Sequence, residues 1–178
     1  MATLAYIFVI FAVLVHARAV PMPFHFTPVA AALLFFGARM PRNRMITPLA
    51  LLIVSDIYLN KFVYGYALGW DQAVTWVWYL AIMLFGQTLA RNTSVLRVVG
   101  ASLVASISFF LVSNFAFWTV PVAREMYPAT WSGLVACYVA AIPFFRNTLA
   151  SDLLFSAAFF GVGYLLSHRQ HERTSIAL

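Results

Sequence analysis

From Trp131 to Ser167 the chain runs for 37 residues in which only Arg146 and Asp152 carry charge. A single α-helix of that length would be roughly 55 Å long at about 1.5 Å per residue. The hydrocarbon layer of a bilayer is only about 30 Å thick, so one crossing leaves chain to spare. A charge at the bilayer centre is costly, and such residues line a cavity, pair, or sit near an interface. The segment "AAIPFFRNTLASDLLF" carries its own break signal in Pro143, which removes a helix hydrogen bond and clashes one turn back. The expectation is a helix at about 131–145 in the outer leaflet, a junction at Arg146 and Asn147, and a last span at about 148–166.

Five further apolar runs precede this one, at about 4–20, 28–40, 46–62, 73–90 and 95–120. The whole chain is 63% hydrophobic and 9% charged, where a soluble domain carries roughly 25% charged residues. The pattern predicts an all-α polytopic membrane protein, a single integral membrane domain over residues 1–178 with six transmembrane helices. Residues 4–15 followed by "HARAV" have the outline of a signal peptide. No basic residue precedes that run, so a retained first span is expected.

The cations set the expected orientation. With a cytoplasmic N-terminus and six spans, the inner segments hold seven cations, including Arg39, Arg42, Arg44, Arg91 and Arg97, against four outside. That bias favours both termini in the cytoplasm of a cell whose inner (plasma) membrane the chain crosses repeatedly, while seven spans would put the basic tail outside at a count of six against five. The net charge is +6, but its residues lie singly between apolar runs. They read as headgroup contacts with membrane lipids, and no nucleic-acid partner is expected.

The motif content narrows the chemistry. One cysteine, Cys137, excludes an internal disulfide and a cysteine-rich metal site. In "GLVACYVAA" it reads as a buried, inert thiol. No P-loop, H-E-x-x-H or G-x-S-x-G motif occurs, so no catalytic residue, cofactor or metal is assigned and an enzyme is not expected. His168 and His171 have helical spacing in a polar tail that offers no convincing metal set. "GYALG" matches G-x-x-x-G but falls in a loop. Ala101 with Ala105, Ser102 with Ser106, and Ala136 with Ala140 are better placed for close helix packing.

The three expected outer connections are rich in aromatic and polar residues, whereas the inner loops are short and basic. An aromatic belt flanks both interfaces, so this asymmetry points to an outer vestibule with aromatic walls. Asp56 in "LLIVSDIYL" is the most buried-looking acid, as a ligand acceptor, a partner to Arg146, a proton site, or a helix-end residue near water. Asn114 is packing glue or a ligand contact. The expected lining of a solute site is Asp56, Asn114, Trp118, Tyr127, Trp131, Tyr138, Arg146 and Asn147. Asp152 is left without a named partner.

The blocks "FHFTPVAAALLFFGA", "LLIVSDIYL", "SFFLVSNFAFW" and "YPATWSGLVACYVAAIPFFRNTLASDLLFSAAFFG" are similar to the signature blocks of a bacterial family of small integral membrane proteins. That family is described as transport proteins of unknown function, and the resemblance runs from about His25 to Gly161. In layout the chain also resembles the S (substrate-binding) components of energy-coupling-factor vitamin transporters. This resemblance implies a six-helix, S-component-like fold that captures a small vitamin-like solute at the outer face. It further implies a transmembrane coupling subunit with ATPases as partner. The first span lacks the Ala-x-x-x-Ala face with which S components commonly meet that subunit.

Two other classes fit the residues. One is a membrane-embedded enzyme acting on a lipid-soluble substrate through Asp56, Asp152 or His25. The other is a structural membrane subunit whose polar groups bond only to one another and to partner helices.

Overall fold

The computed structural model describes residues 1–18, 22 and 26–176, with side chains described through Arg169. Among them are seven α-helices and no strand. In chain order these are α1 (Ala2–His16), α2 (Val29–Arg39), α3 (Ile46–Tyr58), α4 (Trp70–Gly86), α5 (Val95–Thr119), the single turn α6 (Pro121–Arg124) and α7 (Trp131–Ile176). A 3-10 turn, Arg42–Arg44, leads into α3, and a second, Gln87–Leu89, extends α4. The last turn of α3 widens into a π-helical segment, Leu59–Tyr64, that ends at Gly65 with φ of 69°. Only glycine takes that left-handed conformation at no steric cost.

Three segments are long and apolar enough to cross a membrane: Arg42–Tyr64, Val95–Thr119 and Trp131–Arg169. Ala2–His16 and Val29–Arg39 are apolar but shorter. The six full-length spans expected from sequence are therefore not all present among the described residues. The surface pattern fits a lipid environment. On α1 the small face Ala5, Val9 and Ala12 is buried, while Ile7, Ile10 and Leu14 are exposed. On α5 Ala101, Ser102, Ala105 and Ser106 are buried, while Val104, Ile107 and Leu111 face outward. Small residues inside and large apolar residues outside are how helices pack when the solvent is lipid.

The centre of the bundle is α2, where every residue from Val29 to Ala38 is buried. A helix apolar all round must be surrounded by protein or lipid, and here α1, α4, α5 and α7 enclose it. Its tightest neighbour is α4. A methyl group on Gly37 would lie 2.0 Å from the Met83 carbonyl oxygen, and one on Gly86 would lie 2.5 Å from that of Leu34. On other sides Tyr6 meets Phe36, Phe8 stacks on Phe159, and Phe35 meets Phe160 edge-on.

The outer-leaflet helix expected at about 131–145 is corrected: Pro143 lies inside the continuous helix α7. The local penalty of proline is outweighed because α7 is held along α5 on both sides of it. Before Pro143, the Tyr138 hydroxyl donates to the Leu111 carbonyl at 2.7 Å, and the Cys137 Sγ lies 3.8 Å from the Asn114 carbonyl oxygen. After it, Ser106 Oγ donates to Asp152 Oδ2 at 2.6 Å, and the Ser102 and Ser156 hydroxyls bond at 2.7 Å. Neighbouring helices and local adjustment re-satisfy backbone groups freed by proline in a membrane helix. The paired serines of α5 thus form a buried polar seam, whereas Ala136 and Ala140 are exposed.

Helix directions alternate, so the C-terminal ends of α1, α3 and α5 meet the N-terminal ends of α2 and α4 at one end of the bundle. The basic connections with Arg39, Arg42 and Arg44, and with Arg91 and Arg97, lie at the other end.

Candidate functional site

Two helices, α1 and α4, aim polar side chains at Asp56 on α3, because each of the three carries polar groups on its inward face. On α3, Leu52 and Asp56 lie one turn apart, with Ser55 beside them, and all are buried. On α1, His16 continues the buried row Ala5, Val9 and Ala12. On α4, Gln72, Trp76 and Tyr79 follow at helical spacing.

These faces converge on one carboxylate that is 4% exposed. His16 Nε2 donates to Asp56 Oδ1 at 2.5 Å, Trp76 Nε1 donates to Oδ2 at 2.8 Å, and the Tyr79 hydroxyl lies 3.5 Å from Oδ1. An ionised carboxylate only accepts, so opposite it the His16 Nε2 tautomer that carries the proton is the one that bonds. At the start of the π-helical segment, Asn60 Nδ2 donates to the Asp56 carbonyl at 2.9 Å and to Gln72 Oε1 at 3.1 Å. Three donors from two other helices offset the cost of burying the charge. The network also ties α1, α3 and α4 together at one end.

Beside the network opens a cavity of about 820 Å³, within the roughly 300–1,000 Å³ of small-molecule sites. Its polar lining includes Asp56, Asn60, Gln72, Thr75, Asn114 and Asp152, and its apolar walls include Trp78, Phe109, Phe110 and Phe145. The walls are fixed in turn: Trp78 donates to Ser108 Oγ at 3.0 Å and packs on Phe109, and Phe110 packs on Phe145 with centroids 4.6 Å apart. The cavity lies where α5 and α7 part company. From Ser102 to Ser106 and from Ser156 to Asp152 each helix advances four residues between contacts. Onward to the next hydrogen bond, from Tyr138 to the Leu111 carbonyl, α5 advances five residues and α7 fourteen, with only the Phe110–Phe145 ring contact named between.

Of the residues expected at the site, Asp56 and Asn114 line this cavity. Asn114 also donates from Nδ2 to the Phe110 carbonyl at 2.7 Å, within its own helix. The rest lie elsewhere. Trp118 donates to the Pro128 carbonyl at 3.2 Å and carries the Arg124 guanidinium 4.2 Å above its ring. Tyr127 is half-buried after α6, Trp131 is 79% exposed, and Tyr138 bonds to α5 outside the cavity lining. Arg146 and Asn147 are exposed. Helix register explains this: Ala141, Phe144, Phe145, Thr148 and Asp152 form the inward face of α7, and residues 146 and 147 fall on its other side. His25 lies outside the described residues, as does the side chain of His171.

The residues that sequence reasoning passed over are His16, Asn60, Gln72, Trp76 and Tyr79. A signal for His16 existed, since it stands eleven residues after Ala5 on the same small-residue face. Asp152, which had no expected partner, is 2% exposed and bonded to Ser106.

A family model described as a family of unknown function, DUF6580, matches residues 1–174. No curated protein matches the chain, and no solved structure does.

Proposed function

We propose that this chain, which belongs to the DUF6580 family of unknown function, is a membrane protein that captures a small solute rather than an enzyme. In this reading it is a transporter or the substrate-binding subunit of one. The observation that carries it is the cavity of about 820 Å³, where polar groups from α3, α4, α5 and α7 converge between aromatic walls. A site built this way suits a flat, vitamin-like molecule whose rings stack on Phe and Trp while its polar edge meets the amides and carboxylates.

The orientation follows from charge. The arginines of the α2–α3 and α4–α5 connections stand at the end opposite the cavity, and the positive-inside rule assigns that end to the cytoplasm. The cavity then faces outward, both termini are cytoplasmic, and the membrane is the plasma membrane. In the same reading α1, α2 and α4 complete six crossings. The burial of α2 inside the bundle lets it do so without spanning lipid itself. Energised uptake would need a transmembrane coupling subunit with ATPases, since the chain has no P-loop.

The test is mass spectrometry of small molecules retained by gently purified protein, followed by thermal shift with whatever is found. Capture predicts a retained solute whose binding falls at least tenfold in Asn114→Ala. Protein that retains nothing and shifts with no member of a vitamin panel rules capture out.

One observation favours a second reading, a membrane-embedded enzyme: the His16–Asp56 pair stands in the cavity wall. A histidine held by a carboxylate is a familiar base. Lipid extracts from cells with and without the protein separate the two readings, because only the enzyme changes the lipid profile.

A further inference from the structure

The charged groups around the cavity differ sharply in what holds them. Asp56 has three donors, one of them the His16 imidazole. Arg18, also on the lining, donates from Nε to the Tyr64 hydroxyl at 2.8 Å and lies over the Tyr64 ring. Asp71 stands in the first turn of α4, at the helix end where negative charge is favoured. Asp152 is the exception. It is 2% exposed, it lines the cavity, and its hydrogen bond is to one neutral hydroxyl, Ser106 Oγ. Among the described residues no cationic side chain lies within ion-pair distance of it.

A buried carboxylate with one neutral donor is poorly compensated. Its surroundings supply a cation's other requirement. Ser106 stands one turn before Phe109 and Phe110 on α5, and Asp152 stands two turns after Phe145 on α7. The rings of Phe110 and Phe145 pack against each other, as do those of Trp78 and Phe109, and all four line the cavity. Aromatic faces attract ammonium groups, most strongly where water is excluded.

We infer that the captured solute is an organic cation, an amine or quaternary ammonium on an aromatic body, whose charged head is held by Asp152 beneath the rings of Trp78, Phe109, Phe110 and Phe145. An anion would face three carboxylates, Asp56, Asp71 and Asp152, with Arg18 already engaged by Tyr64. A neutral solute could offer the Asp152 carboxylate a hydrogen bond but no countercharge. The inference rests on the capture reading and narrows it to one class of substrate.

The experiment uses full-length protein in lipid nanodiscs. Phenethylamine, tryptamine and benzyltrimethylammonium are each compared with uncharged and carboxylate counterparts by thermal shift and equilibrium dialysis. The cationic member should bind at least tenfold tighter than either counterpart, and Asp152→Asn should abolish that preference. Arg146→Ala, outside the cavity, should keep it. Should Asp152→Asn fail to fold, Phe110→Leu tests the aromatic half and should weaken the cations more than the uncharged compounds. Equal or better binding of uncharged or anionic members, or an unchanged preference in Asp152→Asn, overturns the cation assignment and leaves solute capture standing. If no member of any class binds and no solute co-purifies, both fall.

Discussion

His16, the last residue of α1, donates its Nε2 proton to Asp56 in the last turn of α3, at 2.5 Å. The two helices share few other contacts, so this pair and its Trp76 and Tyr79 neighbours fix how α1 and α4 close on α3. Removing the acceptor and removing one donor should have unequal effects. Asp56→Ala strands His16, Trp76 and Tyr79 together, each a buried or half-buried donor costing about 1–3 kcal/mol when unpaired. His16→Ala leaves Asp56 with two of its donors. The expected order of stability in detergent is wild type, then His16→Ala, then Asp56→Ala, read as the midpoint of thermal unfolding. Equal midpoints for the two variants would mean that the network does not hold the helices.

The approach of α2 to α4 admits no side chain at two glycines. Gly37→Ala and Gly86→Ala place a methyl group against backbone carbonyl oxygens, which cannot swing away as a side chain does. Each should cost about 3 kcal/mol or more, at the upper end of overpacking penalties. Gly100→Ala on α5 meets nothing within 4 Å and should be neutral, or stabilising by up to about 1 kcal/mol through helix propensity. Yields of folded protein by size-exclusion profile distinguish the three. A well-folded Gly37→Ala variant would show that α2 and α4 stand farther apart.

The helical segments were legible because apolar runs long enough to matter are visible without any partner. Asp56 and Asn114 were legible for a related reason: a polar residue within such a run must face something other than lipid. The Ser102–Ser106 seam was readable as a small-residue stripe, though not as the partner of Asp152, which needed the register of α7 against α5. The expectation for Trp118, Tyr127 and Trp131 rests on the aromatic and polar composition of their connection. Composition does not say which way a ring points. Arg146 and Asn147 were placed by a proline signal that is local. Contacts with α5 at Cys137, Tyr138, Asp152 and Ser156 carry α7 past it, and only the fold supplies those.

Orientation is checked with single cysteines in a Cys137→Ser background. Ala67, exposed in the connection from α3 to α4, stands at the cavity end, and Asn43, exposed between α2 and α3, at the basic end. An impermeant maleimide applied to intact cells should label Ala67→Cys and spare Asn43→Cys until the cells are opened. Labelling of Asn43→Cys alone would turn the protein over and put the cavity in the cytoplasm.

Continuity of α7 through Pro143 is a matter of distance. Val135 and Leu154 are both exposed on α7, one on either side of the proline. Spin labels at these positions, again in a Cys137→Ser background, are separated along a continuous helix by roughly 28 Å at about 1.5 Å per residue. A helix broken at Pro143, with its first part lying flat in the outer leaflet, would bring the same labels to roughly 20 Å if the two arms met at a right angle. Pulsed electron spin resonance resolves that gap. The longer distance is expected in nanodiscs, and it should persist in Pro143→Ala, because the contacts with α5 rather than the proline set the path of α7. A distance near 20 Å in the wild type that lengthens in Pro143→Ala would restore the proline as a true helix end. It would also return Arg146 and Asn147 to the mouth of the site.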